Sequence, residues 1–292
     1  MNLTDYNEIR GLLARHGFRF SKSMGQNFLT AGWVPERIAE SAGLDRETAV
    51  LEIGPGVGCL TAQLAQRAGK VLAVELDRSL EPVLAETLAG CDNVELLFGD
   101  VLRQDIPDLV RGRFGEMRTV VCANLPYNVT SPLLTALIRS GCFETITVMI
   151  QREVARRICA APNTADYGAF SLFVRWYTEP ELLFDVPPHC FHPQPKVTSS
   201  VIRLTRRAEK PFEVSDEELL FTIIRAAFNQ RRKTLPNALS AGLGTERSEI
   251  ERVLEDCGLD PKIRGEALDL DAFVRITDGL DSFRRKKEGY LS

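Results

Sequence analysis

The sequence predicts an α/β protein, a doubly wound and mostly parallel sheet followed by a small all-α C-terminal domain. Three observations carry this. From about Thr48, short apolar runs rich in β-branched residues alternate with helical stretches, the pattern of a parallel sheet covered by helices on both faces. Three glycines, Gly54, Gly56 and Gly58, stand directly between the first such run and its helix. Beyond about Arg207 the strand-like runs stop and helical periodicity alone remains.

Taken in order, the chain opens with a helix, a polar glycine-containing loop (SKSMGQNFL) and a second helix from about Val34. The alternation then runs AVLEIG, a helix through Leu60 to Gln66, VLAVEL, a helix through Leu80 to Leu88, and VELLFGD. It continues with TVVCANLP, a helix around Pro132 to Ile138, TITVMI, and a helix around Val154 to Ile158. Two further runs, ELLFDV and KVTSSVIRL, flank the proline-rich PPHCFHPQP and read as a hairpin-like pair closing the sheet. DEELLFTIIRAAF, SEIERVLEDC and DAFVRI are helical. The expected division is residues 1–207 and 208–292.

With 292 residues, 44% of them hydrophobic and 26% charged, the chain can bury one large core and a smaller one. Met1 to Arg10 carries charges where a signal peptide needs an apolar stretch, and no run approaches the ~18 to 20 apolar residues of a membrane span. The expectation is a cytoplasmic protein without a membrane partner. Seven cysteines are scattered singly, without Cys-x-x-Cys pairs, so reduced thiols are expected. His189, Cys190 and His192 lie close together but lack partner ligands at suitable spacing, and no metal site is assigned.

A net charge of −4 counts against a protein coated in nucleic acid. Basic residues nevertheless cluster: Arg152, Arg156 and Arg157; Arg203, Arg206 and Arg207; Arg225 with Arg231, Arg232 and Lys233; and Arg284 to Lys287. Taken alone, each cluster reads as a solvated helix face or a tail.

The glycine turn has the spacing G-x-G-x-G, not the G-x-G-x-x-G of a nicotinamide-binding turn. By itself it does not separate a cofactor site from a sharp bend. Two acids at successive strand ends point further, because ligands of open parallel sheets bind beyond the carboxyl ends of the strands. Glu75 ends VLAVEL and can accept both hydroxyls of a ribose; Asp100 ends VELLFGD and can accept from an adenine amino group, or simply cap the next helix.

TVVCANLPYN sets Asn124-Leu125-Pro126-Tyr127 at the end of the fourth run, beside the same crevice. Methylating an adenine amino group is hard because its lone pair is delocalised into the ring. Hydrogen-bond acceptors that draw the nitrogen towards tetrahedral geometry relieve this. The Asn124 side-chain oxygen and the Leu125 carbonyl can each accept one N6 hydrogen, Pro126 stiffens the turn, and Tyr127 offers a face for stacking. The base must be unstacked to reach such a site.

These residues resemble the ribosomal RNA adenine dimethyltransferases, which modify two adjacent adenines near the 3′ end of small-subunit rRNA, with macrolide-resistance relatives acting on large-subunit rRNA. The resemblance spans nearly the whole chain: GQNFL (Gly25 to Leu29), EIGPGVGCLT (Glu52 to Thr61), VELD (Val74 to Asp77), GDVL (Gly99 to Leu102), NLPYN (Asn124 to Asn128), FHPQPKVTSSV (Phe191 to Val201) and AFNQRRKTLPNAL (Ala227 to Leu239). It implies the S-adenosylmethionine-dependent methyltransferase type of sheet. It further implies that Asn27, Leu29, Gly54, Glu75, Asp100 and Asn124 contact S-adenosylmethionine, with the GQNFL loop closing over its amino-acid end. Phe191, on its residues alone a core aromatic, becomes by resemblance the second wall of the base pocket opposite Tyr127.

The RRKTL segment and the helical domain would then touch 16S rRNA in an assembling 30S particle, the protein acting as a monomer. Pro236 departs from the family pattern, which has a basic or small polar residue there. It implies a helix restart and one phosphate contact fewer. Leu125 and the long RRKTL-containing domain favour the small-subunit type over the large-subunit type. A DNA adenine methyltransferase lacks support, since no target-recognition insert is visible. An assembly factor with secondary catalysis is the reading from a different class, against which the intact Asn124, Tyr127, Glu75 and Asp100 weigh.

Overall fold

The computed structural model describes residues 1–18, 26–287 and 289. The segment 19–25, with Gly25 of the GQNFL loop, and the side chain of Lys287 from the terminal basic cluster lie outside the described residues.

In chain order the elements of the first compact unit begin with α1 (Tyr6–Arg15), β1 (Phe28–Leu29), α2 (Trp33–Ser41), β2 (Thr48–Ile53), α3 (Cys59–Arg67) and β3 (Lys70–Glu75). They continue with α4 (Glu81–Thr87), β4 (Val94–Phe98), α5 (Ile106–Phe114), β5 (Arg118–Asn124), α6 (Thr130–Ser140) and β6 (Thr145–Gln151). After α7 (Arg152–Cys159) and α8 (Ala169–Tyr177), the chain returns to the sheet with β7 (Thr178–Val186), β8 (Phe191–His192) and β9 (Ser199–Arg206).

Seven strands form one sheet in the order β4-β3-β2-β5-β6-β9-β7. The first five run parallel, and β9 is antiparallel to both β6 and β7. The ELLFDV and KVTSSVIRL runs are thus the expected closing pair, with β9 inserted between β6 and β7. β2 and β3 are almost entirely buried, which explains why they read as continuous apolar runs and not as alternating ones. The order reverses between β2 and β5, and the crevice at their carboxyl ends is the place such a sheet offers a ligand.

Two apolar clusters support the sheet. Val34, Ile38, Leu60 and Leu64 pack with Val50, Val71, Val120 and Met149. Ile9, Leu12 and Leu13 of α1 pack with Val83, Leu84 and Leu88 around α4. Each fully buried leucine contributes roughly 1.5–3 kcal/mol. Asp5 caps α1 by accepting from the amides of Asn7 and Glu8 at 2.9 and 3.0 Å.

The chain divides into two compact units, Met1–Ala155 with Thr178–Arg206, and Arg156–Tyr177 with Arg207–Ser292. The second is all-α, with α9 (Glu217–Asn229), α10 (Leu235–Leu243), α11 (Arg247–Asp256) and α12 (Leu270–Lys287). It also takes in residues 156–177, which the sequence-based division left with the sheet. The reason is aromatic packing: Phe173, Trp176 and Tyr177 all lie against Phe221, and the Tyr167 hydroxyl donates to the Leu268 carbonyl at 2.8 Å. Pro236 sits in the first turn of α10, where its missing amide costs nothing. Among the described residues no helix is long and apolar enough to cross a membrane.

Candidate active site

A cavity of about 260 Å³ opens at the carboxyl ends of β2, β3, β4 and β5. Its floor is the glycine turn. Gly54, Gly56 and Gly58 have φ of +71°, +61° and +86°, a region that L side chains enter only at a cost. Space is equally restrictive, since a Cβ on Gly56 would stand 3.2 Å from the Phe28 ring. A ligand therefore meets bare backbone here.

Two carboxyl groups lie beneath that backbone. Glu75, 7% exposed, accepts from the Asp77 amide at 2.8 Å and the Gly56 amide at 3.3 Å, and burial raises its pKa. Glu52 is 1% exposed and lines the cavity. Among the described residues its Oε2 has no hydrogen-bond partner. Burial pushes its pKa up to about 8, and the neighbouring Glu75 adds in the same direction. The Thr61 hydroxyl nearby partly offsets that rise, and a buried acid lining the cavity suits a cationic ligand, towards which it can lose its proton.

Asp100 does two things at once. Its side chain caps a short turn by accepting from the Leu102 amide at 3.0 Å, and it lines the cavity. Gln26 donates to Asp77 at 2.7 Å, which ties the chain before β1 to the rim.

The opposite wall is the loop after β5. Asn124 pairs with Met149 across the sheet, and the Leu125 amide donates to the Met149 carbonyl at 3.1 Å, so the peptide after Asn124 is anchored by the sheet itself. The Thr130 hydroxyl donates to the Pro126 carbonyl at 3.0 Å. The Tyr127 hydroxyl meets Ser199 Oγ at 2.6 Å, and Ser199 is fully buried in β9. Burial raises the Tyr127 pKa, so it remains a neutral phenol at physiological pH. A Cβ on Gly54 would reach within 3.9 Å of Pro126, so the glycine leaves the gap between the two halves of the site open.

The sequence model of the ribosomal RNA adenine dimethylase family matches residues 17–275. The chain belongs to the ribosomal RNA adenine dimethylase family. It is 46% identical over 274 residues to "Ribosomal RNA small subunit methyltransferase A" of Geobacillus thermodenitrificans, covering 92% of this chain and 94% of that protein. A protein of the same name from Clostridium perfringens is 44% identical, covering 96% of this chain and 99% of its own. Among solved structures, the 23S rRNA methyltransferase ErmE superposes with a TM-score of 0.67 at 29% identity, covering 87% of this chain and all of that one. A dimethyladenosine transferase from Plasmodium falciparum shares the fold with a TM-score of 0.73 at 23% identity, over 89% of this chain and 98% of that one. As a member of the family, the chain is an rRNA adenine dimethyltransferase that uses S-adenosylmethionine.

Asn27, Leu29, Gly54, Glu75, Asp100, Asn124, Leu125 and Tyr127, each singled out from the sequence, all line this cavity. Phe191 does not. Its ring is 2% exposed within the apolar core beside Val186, Cys190 and Val201, and its backbone pairs with Leu29. The structure therefore places it as the core aromatic that its residues alone suggested, and not at the cavity wall.

Sequence reasoning missed Glu52 and Ser199. For Glu52 a signal existed, an acid within the otherwise apolar AVLEIG, because an ionisable side chain is costly inside a sheet. For Ser199 there was none, since its partner is 72 residues away. The basic clusters are partly committed to internal pairs: Arg203 to Glu181 at 2.6 Å, Arg231 to the Ala165 carbonyl at 3.1 Å, and Arg285 to Asp281 at 2.9 Å. Arg232 and Lys233 are exposed.

Proposed function

We propose that this chain methylates N6 of two adjacent adenines near the 3′ end of small-subunit 16S rRNA, giving N6,N6-dimethyladenosine, in the cytoplasm, as a monomer acting on an assembling 30S particle. The observation that carries this is the cavity in which the glycine turn and buried acids face Asn124-Leu125-Pro126-Tyr127. The small-subunit target is favoured over the large-subunit one because the relatives named for the small subunit are 46% and 44% identical over nearly their whole length, against 29% for ErmE.

When bound, S-adenosylmethionine supplies an electrophilic methyl group on a sulfonium. The residues present fit such a cation. Glu75 would accept from the ribose hydroxyls and Asp100 from the adenine amino group, while Glu52, once it gives up its proton, would offset the positive charge. Asn27, Leu29 and Gly54 would complete the enclosure by shape.

At the other wall, Asn124 Oδ1 and the Leu125 carbonyl accept the two hydrogens of the target amino group. That arrangement turns the nitrogen lone pair out of conjugation and towards the methyl donor. Tyr127 stacks on the base, its ring held by Ser199. No side chain need remove a proton before transfer, because the amino group becomes acidic only once it has gained the methyl. Phosphate binding is assigned to Arg232 and Lys233. Replacing both with Ala lowers RNA affinity and flattens its salt dependence by roughly 0.7–0.9 for each phosphate no longer neutralised, measured by titration over a range of salt.

Labelled S-adenosylmethionine incubated with unmethylated small subunits, large subunits and DNA tests the assignment. Label in the small-subunit RNA supports it. Label confined to the large subunit moves the chain to the resistance branch, and tight subunit binding without label makes it an assembly factor.

A further inference from the structure

Asn128 is a polar side chain of the catalytic cavity that the reaction described above leaves unused. It lines the cavity and is exposed, which puts it at the mouth, and among the described residues its amide has no hydrogen-bond partner. The backbone that carries it is fixed. Asn128 lies within the short helical turn Tyr127–Val129, where the Val129 amide donates to the Pro126 carbonyl at 3.3 Å and the Thr130 hydroxyl donates to the same carbonyl at 3.0 Å. Its neighbour Tyr127 is held by Ser199 at 2.6 Å. An uncommitted amide on a rigid turn beside the base site is positioned to meet a part of the target nucleotide.

Which part follows from the shape of adenosine. N6 and the glycosidic N9 stand on opposite sides of the purine. Leu125 is buried whereas Asn128 is exposed, so an adenine whose amino group reaches Asn124 and the Leu125 carbonyl keeps its ribose at the mouth. Charge narrows the choice further. Glu52, Glu75, Asp77 and Asp100 line the cavity, and among the described residues no Lys, Arg or His does. A phosphate is poorly received there, because its charge calls for a cation. The uncharged ribose is left. Its 2′-hydroxyl both donates and accepts, as the Asn amide does.

We infer that Asn128 hydrogen-bonds the ribose 2′-hydroxyl of the adenosine being methylated, and so makes the enzyme prefer RNA to DNA at the target nucleotide itself. This rests on the small-subunit adenine reading, which sets where N6 lies in the cavity. Asn128 is then a specificity-determining residue, and the preference it supplies is independent of any basic residue that grips the RNA elsewhere.

The test is single-turnover methyl transfer to unmethylated small subunits whose two target nucleotides are either adenosine or 2′-deoxyadenosine, by the wild-type chain and by Asn128→Ala. The wild-type chain is expected to methylate the deoxy substrate about fivefold more slowly, the effect of losing one neutral hydrogen bond. Asn128→Ala is expected to slow the ribose substrate by a similar factor and to treat the two substrates alike, with S-adenosylmethionine affinity unchanged. Should Asn128→Ala fail to fold or to turn over, Asn128→Leu, which keeps the bulk without polar atoms, takes its place in the comparison. A wild-type chain indifferent to the 2′-hydroxyl overturns the proposal. So does a variant that slows both substrates and keeps the preference, which would put the amide on the base. Absence of dimethyladenosine with the wild-type chain on all-ribose subunits instead defeats the small-subunit reading itself.

Discussion

The two walls of the catalytic cavity are built by different means. The cofactor side relies on backbone geometry and buried acids: three left-handed glycines, and Glu52 and Glu75 held out of solvent. On the base side every group is neutral: an amide, a peptide carbonyl and a phenol, on a loop fixed by hydrogen bonds to the sheet. The contrast follows the chemistry. The cofactor arrives with a fixed positive charge, which acids can receive. The target base is uncharged and must be turned, which fixed acceptors achieve, whereas an acid beside it would compete for the cation.

Changing the neutral wall should cost turnover most. Asn124→Ala is expected to lower kcat about 10²–10³-fold while small-subunit binding persists, in single-turnover transfer and pelleting assays. Parallel loss of both would remove the distinction between the walls.

On the charged wall, Glu75→Gln keeps the shape but removes the charge. It should weaken S-adenosylmethionine binding about tenfold, the effect of losing ~1.4 kcal/mol, as read by calorimetry.

Glu52 sharpens the comparison through pH. Its folded pKa, about 8, lies above the unfolded value, so the folded chain holds a proton that the unfolded chain releases. Stability therefore falls as pH rises from about 4.5 to about 8, by up to ~1.4 kcal/mol per unit. Cofactor affinity should move the opposite way, rising over the pH units below 8 as the carboxylate forms. Glu52→Gln should abolish both trends, as thermal melts and binding at several pH values would show; persistence of either trend in the variant would assign it to another group.

The smallest effect is expected at Ser199→Ala. Tyr127 keeps its stacking face but loses its anchor, leaving a buried hydroxyl unpaired at a cost of ~1–3 kcal/mol. KM for RNA should rise more than kcat falls, and Ser199→Thr, which keeps the hydroxyl, should restore most of it.

The sheet was legible because its strands are continuous apolar runs with glycine or acids at their ends. Helix α8 was not: AFSLFVRWY is largely apolar and aromatic, with Ser171, Leu172, Phe173 and Val174 all buried, and it runs into β7 with no turn residue between them. Its docking on Phe221 in turn moved the domain division. Asp100 was readable both as cap and as ligand group, and it is placed to be both. Which face the Phe191 ring takes depends on the pairing of β1 with β8, which no local pattern in the chain encodes. Ser199 acquires its role only when β9 inserts beside β6, and nothing local in the chain records that register.

The most direct measurement is the nucleoside composition of unmethylated small-subunit rRNA after incubation with the wild-type chain and S-adenosylmethionine. Two N6,N6-dimethyladenosines at adjacent positions near the 3′ end are expected, and none with Asn124→Ala. Methylation of another base, or unimpaired dimethylation by the Asn124 variant, would contradict the account.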